Sequence, residues 1–277
     1  MQENLLHGRL KAHSHTFHKI VDFNPVKEKL LHLDFTDNNK ELINIDLSDT
    51  ENFSAYVEEK LNKSKAKFGI GGYNENRVLY KRSQLFNREL SRMVSKDRPI
   101  PSDSITNFKE KTDNNYSQFS ADQSHSFSSP VKEIADARTL HLGIDIWGEV
   151  GTKVYAPLGG IVHSYGFNNT FGDYGATLIL LHQLDTVTFF TLYGHLSLDD
   201  ISRLTETQYV IRGQIIGHFG KPEENGYWPP HLHFQLIKDM DAYEGDFPGV
   251  CKIEDKQKYL SNCPDPDLII NMMQYAV

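Results

Sequence analysis

The feature that most constrains this chain is the run Leu140-His141-Leu142-Gly143-Ile144-Asp145, which makes chemical sense only with two distant motifs, Tyr193-Gly194-His195 and His231-Leu232-His233. Alternate residues of a strand share a face, so His231 and His233 point the same way while Leu232 points back into a sheet. His141, Gly143 and Asp145 share a face by the same rule. A straight strand would carry His141 about 13 Å from Asp145, too far for imidazole and carboxylate to meet on one small ion. The segment is therefore expected to bend. Gly143 permits the bend, because a residue without Cβ takes up unusual dihedrals and leaves room above itself for the ion.

Two imidazoles and a carboxylate form a zinc donor set that leaves a fourth position for water. The motifs offer four histidines and an aspartate, more than the metal needs, and hydrolytic zinc chemistry also requires groups that handle protons. His141, Asp145 and His233 are assigned to Zn2+, and His195 and His231 are assigned as catalytic residues facing the zinc-bound water. Taken singly, any of the 13 histidines reads as an ordinary buried or surface residue. Three motifs in order, each flanked by strand-like residues, point to a metal site instead.

From Arg138 to Leu236 the chain reads RTLHLGIDIW, GTKVYAPLGGIV, DYGATLILLH, TLYGHLS, RGQIIGHFG and PPHLHFQLI. This run resembles the lysostaphin-type zinc endopeptidases, the M23 peptidoglycan metallopeptidases. The resemblance implies metal ligation by the histidine and aspartate of HxxxD and by the second histidine of HxH, which are His141, Asp145 and His233 here. It implies catalytic roles for His195 of YGH and His231 of HLH, and a peptide crosslink containing glycine or D-amino acids as substrate. It does not extend to the first ninety residues.

Composition narrows the remaining choices. A chain of 277 residues with 39% hydrophobic and 24% charged content has the makings of a packed core. Its formal charge of −8 argues against nonspecific affinity for nucleic acid or anionic surfaces. The N-terminus lacks an apolar run of signal-peptide length, and no stretch is long enough to span a membrane, so a cytoplasmic location is expected. Two cysteines, Cys251 and Cys263, cannot build a disulfide framework, and free thiols are expected.

In chain order, residues 1–16 read as a mobile, histidine-dotted start. Residues 18–23, 29–35 and 42–47 alternate as half-buried strands do. Thr50 to about Lys65 reads as an amphipathic helix, with capping oxygens ahead of it and Phe53, Tyr56, Val57 and Leu61 at helical spacing. GIGGYNENRVLYKRSQLF follows, a glycine-rich turn leading into a strand-like run. Its Tyr73, Asn74, Glu75 and Arg77 fit either a solvated turn or a groove wall or plug. Residues 93–132 are rich in Ser, Asp, Asn and Pro and are expected to form a flexible linker or insertion. Strands are expected at 153–155, 161–165, 177–181 and 186–192. His163, His182 and His218 are taken as structural, with His182 the nearest of them to the site. Asn225, Tyr227 and Trp228 are expected to form a rim that grips a peptide, and the tail after residue 244 reads as loop.

The resulting expectation is a mainly β protein, an antiparallel twisted sheet of lysostaphin type, with an α+β N-terminal portion packed against it. Three regions are expected: 1–92 as an accessory part, 93–132 as the linker, and 133–277 as the M23-like zinc peptidase domain with an extension. The expected function is zinc-dependent hydrolysis of an amide in a peptide or peptidoglycan-derived substrate. The alternatives are an intracellular zinc hydrolase of a small amide and a catalytically silent zinc-binding regulatory protein.

Overall fold

Asp145 lies inside a wide, mainly antiparallel sheet, and the pairing of that sheet brings the three histidine motifs together. The computed structural model describes residues 3–87 and 137–277; the 93–132 stretch lies outside the described residues. Strands β1 (Lys29–His32), β2 (Ala66–Gly71), β3 (Leu140–His141), β4 (Ile144–Trp147), β5 (Lys153–Tyr155) and β6 (Gly160–Asn168) precede a long hairpin. That hairpin is β7 (Gly175–Leu184) and β8 (Val187–Leu196), followed by β9 (Tyr209–Val210), β10 (Ile215–His218), β11 (His231–Ile237) and β12 (Val250–Cys251). The large sheet runs β1-β2-β4-β11-β8-β7-β6-β9, and two-stranded pairs β10-β5 and β12-β3 complete the pairing. Every neighbouring pair is antiparallel except β1 with β2.

The alternation of β4 and β11 sorts their side chains cleanly. Ile144, Ile146, Leu232 and Phe234 face a core shared with Leu178, Leu180 and Tyr193. On the other face, His233 stands opposite Asp145 and His231 opposite Trp147. Antiparallel partners lie only about 5 Å apart, so this register alone brings a ligand-type histidine against the carboxylate.

The N-terminal portion does more than pack against this sheet; it extends it. Gly71 of β2 pairs with Asp145 and Gly69 with Trp147. The outer edge, β1, is covered by the C-terminus, where the Val277 amide donates to the Leu30 carbonyl at 3.1 Å and the His32 amide donates to Val277 at 3.0 Å. Helix α2 (Thr50–Ser64) starts where Asp49 accepts from the Asn52 amide and stops at Lys65, whose φ of 56° turns the chain away. It buries Phe53, Tyr56 and Val57. Phe53 and Phe35 sit 5.9 and 5.3 Å from the Trp147 ring, which joins the N-terminal core to the site face.

Several local expectations are corrected. Residues 3–13 form helix α1, because Leu6 and Leu10 bury against a cluster that includes Ile269 and Ile270. Residues 18–23 form no strand: the His18 amide donates to Pro157 and Ile20 accepts from Tyr155 at the end of β5, two bonds that build no ladder. Residues 40–44 and 78–82 wind into 3-10 turns. In the latter, Leu79, Tyr80 and Arg82 gain burial by facing one cluster, which strand alternation would have split. The tail carries β12 and helices α4 (Lys256–Asn262) and α5 (Asp267–Ile270); the short α3 (Leu198–Ile201) follows β8. Among the described residues no helix is long and apolar enough to cross a membrane.

Candidate metal centre

His141, Asp145 and His233 converge, with one donor atom from each lying within 4.8 Å of the others. The chain bends at Gly143 between β3 and β4, which folds His141 back over Asp145. The space above Gly143 is filled by the His233 ring, since a Cβ there would lie 2.5 Å from its Cε1 and Nε2. That correction to the sequence expectation makes the glycine a seat for a ligand side chain. His141 Nε2 lies 3.0 Å from His233 Nδ1, His233 Nδ1 3.0 Å from Asp145 Oδ1, and His141 Nε2 3.3 Å from the same oxygen.

The outward atoms of these rings are already committed. Gly72 O can only accept, so His141 donates to it from Nδ1 at 3.1 Å and turns the Nε2 lone pair inward. His233 donates from Nε2 to Gln235 Oε1 at 2.9 Å and turns Nδ1 inward, with the Tyr174 hydroxyl 3.3 Å from that Nε2. Gln235 is itself fixed by donating to Pro248 O and Cys263 Sγ. Two imidazole lone pairs and a carboxylate oxygen thus crowd together with no donor hydrogen that their outer partners leave available. Such a set is self-repelling until a cation occupies it, and nitrogen with carboxylate at tetrahedral valence fits zinc.

Asp145 has a second, charged neighbour. Arg77, its side chain 0% exposed, donates from Nη1 to Asp145 Oδ2 at 2.5 Å and from Nε to Glu75 Oε2 at 3.0 Å. Burial alone would raise the Asp145 pKa, but His141 and the Arg77 guanidinium outweigh it and hold the carboxyl well below the usual range. Burial, aided by the positive charge of Arg77, pushes His141 down to about 4.

His195 and His231 complete the constellation. Their rings lie 4.0 Å apart, and His231 Nε2 is 4.0 Å from Asp145 Oδ1. Each donates from Nδ1 to a backbone carbonyl, His195 to Asn225 at 2.7 Å and His231 to Pro229 at 2.8 Å, which leaves both Nε2 atoms as proton acceptors. His195 is re-aimed by the backbone: β8 carries one extra residue against β7 between Leu196 and Tyr193, and His195 itself has φ 63°. A bulge with a left-handed non-glycine residue is the kind of strain that gathers at working sites. Burial lowers His231 to about 4, and burial together with His231 lowers His195 well below its usual value.

Other residues lie elsewhere than the sequence reading placed them. Asn225 and Trp228 are buried: Asn225 ties its own loop by donating to Gly220 O and Trp228 O, and Trp228 lies 6.1 and 6.2 Å from the His195 and His231 rings. Tyr227 is half-buried, with φ 66°. His182 bonds Gly159 O and Thr191 Oγ1, and Thr191 bonds Tyr193 on the opposite face of the sheet. Trp147, stacked on His231 at 3.9 Å, and Tyr174 were not singled out by the sequence reading. The only sequence sign for Tyr174 was its place ahead of Gly175, whose φ is 61°.

Comparison with known proteins identifies the segment that carries this site. A curated L-Ala–D-Glu endopeptidase of Bacillus subtilis (strain 168) is 29% identical over 115 residues, which cover 40% of this chain and 33% of that protein. The chain therefore spans about a third of the length of that relative. A zinc-containing peptidase from Vibrio cholerae is 28% identical, covering 42% of this chain and 33% of that one, at a TM-score of 0.30. The catalytic domain of lysostaphin from Staphylococcus simulans is 23% identical, covering 48% of this chain and 86% of that one, at a TM-score of 0.31. The family model "Peptidase family M23" matches residues 139–244, from the strand of His141 past the strand of His233, and so covers His141, Asp145, His195, His231 and His233 of the site described above.

Proposed function

We propose that the chain is a zinc-dependent amide hydrolase of the endopeptidase type, with His141, Asp145 and His233 as metal ligands and His195 and His231 as catalytic residues. The observation that carries this reading is the pair of Nδ1-tethered histidines beside the donor set, His231 with Nε2 4.0 Å from Asp145 Oδ1 and His195 with its ring 4.0 Å from that of His231. When bound, zinc supplies a Lewis acid for the scissile carbonyl and acidifies a water molecule. His195 or His231, neutral because both are buried, accepts the proton of the attacking water at Nε2. With the rings 4.0 Å apart, two imidazolium charges would repel strongly, so one proton serves the pair. The protonated ring then stabilises the oxyanion and passes its proton to the leaving amine. Carbonyl tethers at both Nδ1 atoms keep each ring in the tautomer this exchange requires.

The substrate we propose is a peptide, in the first instance one derived from peptidoglycan, as the name of the Bacillus relative suggests. A small soluble amide is the second reading. It is favoured by burial: each of the five polar side chains is in a residue no more than 5% exposed, with the Tyr80 ring 6.3 Å from His141 and the Trp228 ring 6.1 Å from His195. Incubation of the zinc-loaded protein with muropeptides, intact sacculi and a panel of short peptides, read by mass spectrometry, tests both. Cleavage of soluble muropeptides is the expected result, and cleavage of small amides alone would select the second reading. No cleavage of anything offered would refute hydrolysis and leave a zinc-binding regulatory protein. We also propose a cytoplasmic location. Its support is that Cys251 and Cys263 are buried free thiols, and recovery of the native protein outside the cytosol would overturn it.

A further inference from the structure

The matched family segment begins at residue 139, yet the groups that grip its first two ligand residues come from residues 71–77. Backbone bonds place them there. The Asn74 amide donates to His141 O at 3.0 Å, the His141 amide to Glu75 O at 2.9 Å, and the Arg77 amide to Thr139 O at 2.9 Å. Residues 74–77 therefore lie along one edge of β3, while β12 pairs with the other. From that position Gly72 O takes the His141 Nδ1 hydrogen and Arg77 reaches back across β2 to Asp145. Gly71, directly opposite Asp145 in the ladder, is where the guanidinium crosses, and a Cβ at Gly71 would collide with Arg77 Nη2.

A guanidinium against a metal-ligating carboxylate presents a physical problem, because its charge repels the metal that the carboxylate is there to hold. Glu75 resolves it. Its Oε2 accepts from Arg77 Nε at 3.0 Å, and its Oε1 accepts from the Gly72 amide at 3.0 Å. Glu75 and Arg77 cancel each other's charge, with His32 Nε2 3.5 Å from Glu75 Oε1 at the outer end of the pair, and the directional hydrogen bond to Asp145 remains. With Oδ2 occupied by Arg77, only Oδ1 faces His141 and His233.

We infer that Glu75 and Arg77 are positioning residues of the metal centre: a charge-neutral clamp that commits Asp145 to one metal-facing oxygen and makes residues 71–77 an outer shell of the site. The inference rests on the zinc reading above. It predicts a specific sign of coupling between the two side chains, which a merely structural role would not produce.

The test is a zinc titration of the full chain against a chromophoric chelator, for wild type, Arg77→Met, Glu75→Gln and the double variant. Arg77→Met should weaken zinc binding about 10- to 100-fold, as loss of an outer-shell partner does. Glu75→Gln should weaken it by at least as much, because it leaves an unbalanced cation beside Asp145. The double variant removes that cation and should bind zinc more tightly than Glu75→Gln alone. Two independent packing defects would multiply their losses instead, and that outcome overturns the clamp. Unchanged affinity in all three variants overturns it equally. If Arg77→Met fails to fold, the near-isosteric Glu75→Gln decides alone: a loss of affinity supports the clamp, and wild-type affinity refutes it. A wild type that takes up no zinc would instead sink the metal-centre reading itself.

Discussion

The five side chains of the proposed donor and proton-handling set come from residues 141–233, whereas the groups that hold two of them come from residues 72–77. The two regions contribute by different means. The later one supplies chemistry through side chains at strand spacing, so its role follows from a period of two and one glycine bend. The earlier one supplies a backbone carbonyl and an ion pair, and its role depends on β2 lying beside β4. A family resemblance confined to the later region therefore describes what the site is made of and leaves out part of what keeps it in shape.

The largest expected effect lies within the later region. Replacing His141, Asp145 or His233 by Ala should remove most of the zinc and the activity together, because two protein ligands make a much poorer site than three. Replacing His195 or His231 by Ala should leave zinc near its wild-type content and slow hydrolysis by roughly 100-fold or more. Metal analysis and kinetics on the same preparations check the division. A His195→Ala protein as zinc-poor as His141→Ala would make His195 a ligand and sink the proposed roles.

The next effect crosses the boundary between the regions. Phe53 is buried against Phe35, Trp147 and Trp228, two of which belong to the later region. Phe53→Ala should cost about 3–5 kcal/mol and shift one cooperative transition for the described fold, because Trp147 also stacks on His231. Denaturant unfolding followed by tryptophan fluorescence and by far-ultraviolet dichroism reads this out. Two separate transitions, with the later one unmoved, would show that residues 3–87 form an independent body.

The parts of this architecture that were legible in the sequence share a property: each is decided by near neighbours. His231 and His233 fall on one face because strands alternate, the chain bends at Gly143 between two short strands, and Asp49 caps α2 because its side chain reaches the Asn52 amide. The parts that were missed depend on distant partners. Helix α1 is stabilised through Leu6 and Leu10 by residues near 270, which no local period reveals. The alternation at 18–23 resembles a strand, but the backbone bonds it makes outside itself go to Tyr155 and Pro157 and form no ladder. Arg77 was noticeable beside its glycines, yet that it meets a carboxylate 68 positions away is a property of the sheet order. His195 lay just past the strand expected at 186–192, which in fact runs on to Leu196, but the bulge beside it comes from register with β7.

A glycine on each side of Asp145 allows a finer comparison. A Cβ at Gly143 would stand 2.5 Å from the His233 ring and 2.8 Å from Phe234 O, so Gly143→Ala must displace a ligand side chain. At Gly71 the obstruction is the end of the Arg77 side chain, which is longer and can give way. Both variants should lose about 1–3 kcal/mol of stability through overpacking. Gly143→Ala should show much the greater loss of zinc affinity. Chelator titration beside denaturant melts checks this, and equal zinc losses would place the Arg77 contact on a par with the His233 ligand itself.

The smallest effect separates the two regions by the sign of a pH dependence. In the later region burial lowers His182 to about 4, so its folded form stays neutral while the unfolded chain takes up a proton below about 6.5. Its contribution is complete above that value and is lost as pH falls toward 4. In the earlier region His32 is raised above 6.5, chiefly by Glu75, whose Oε1 lies 3.5 Å from its Nε2. Its contribution is complete below 6.5 and is lost as pH rises through the raised folded value. His32 is 42% exposed, so solvent screens the pair and its effect should be much the smaller of the two. His182→Gln should flatten the acid limb of the stability profile, and His32→Asn should remove a shallow decline above neutrality. Urea melts from pH 4 to pH 9 on the metal-free protein measure both. If His32→Asn changes the acid limb instead, Glu75 does not hold His32 in its charged form, and the arm that ties the Glu75–Arg77 pair to β1 has to be sought elsewhere.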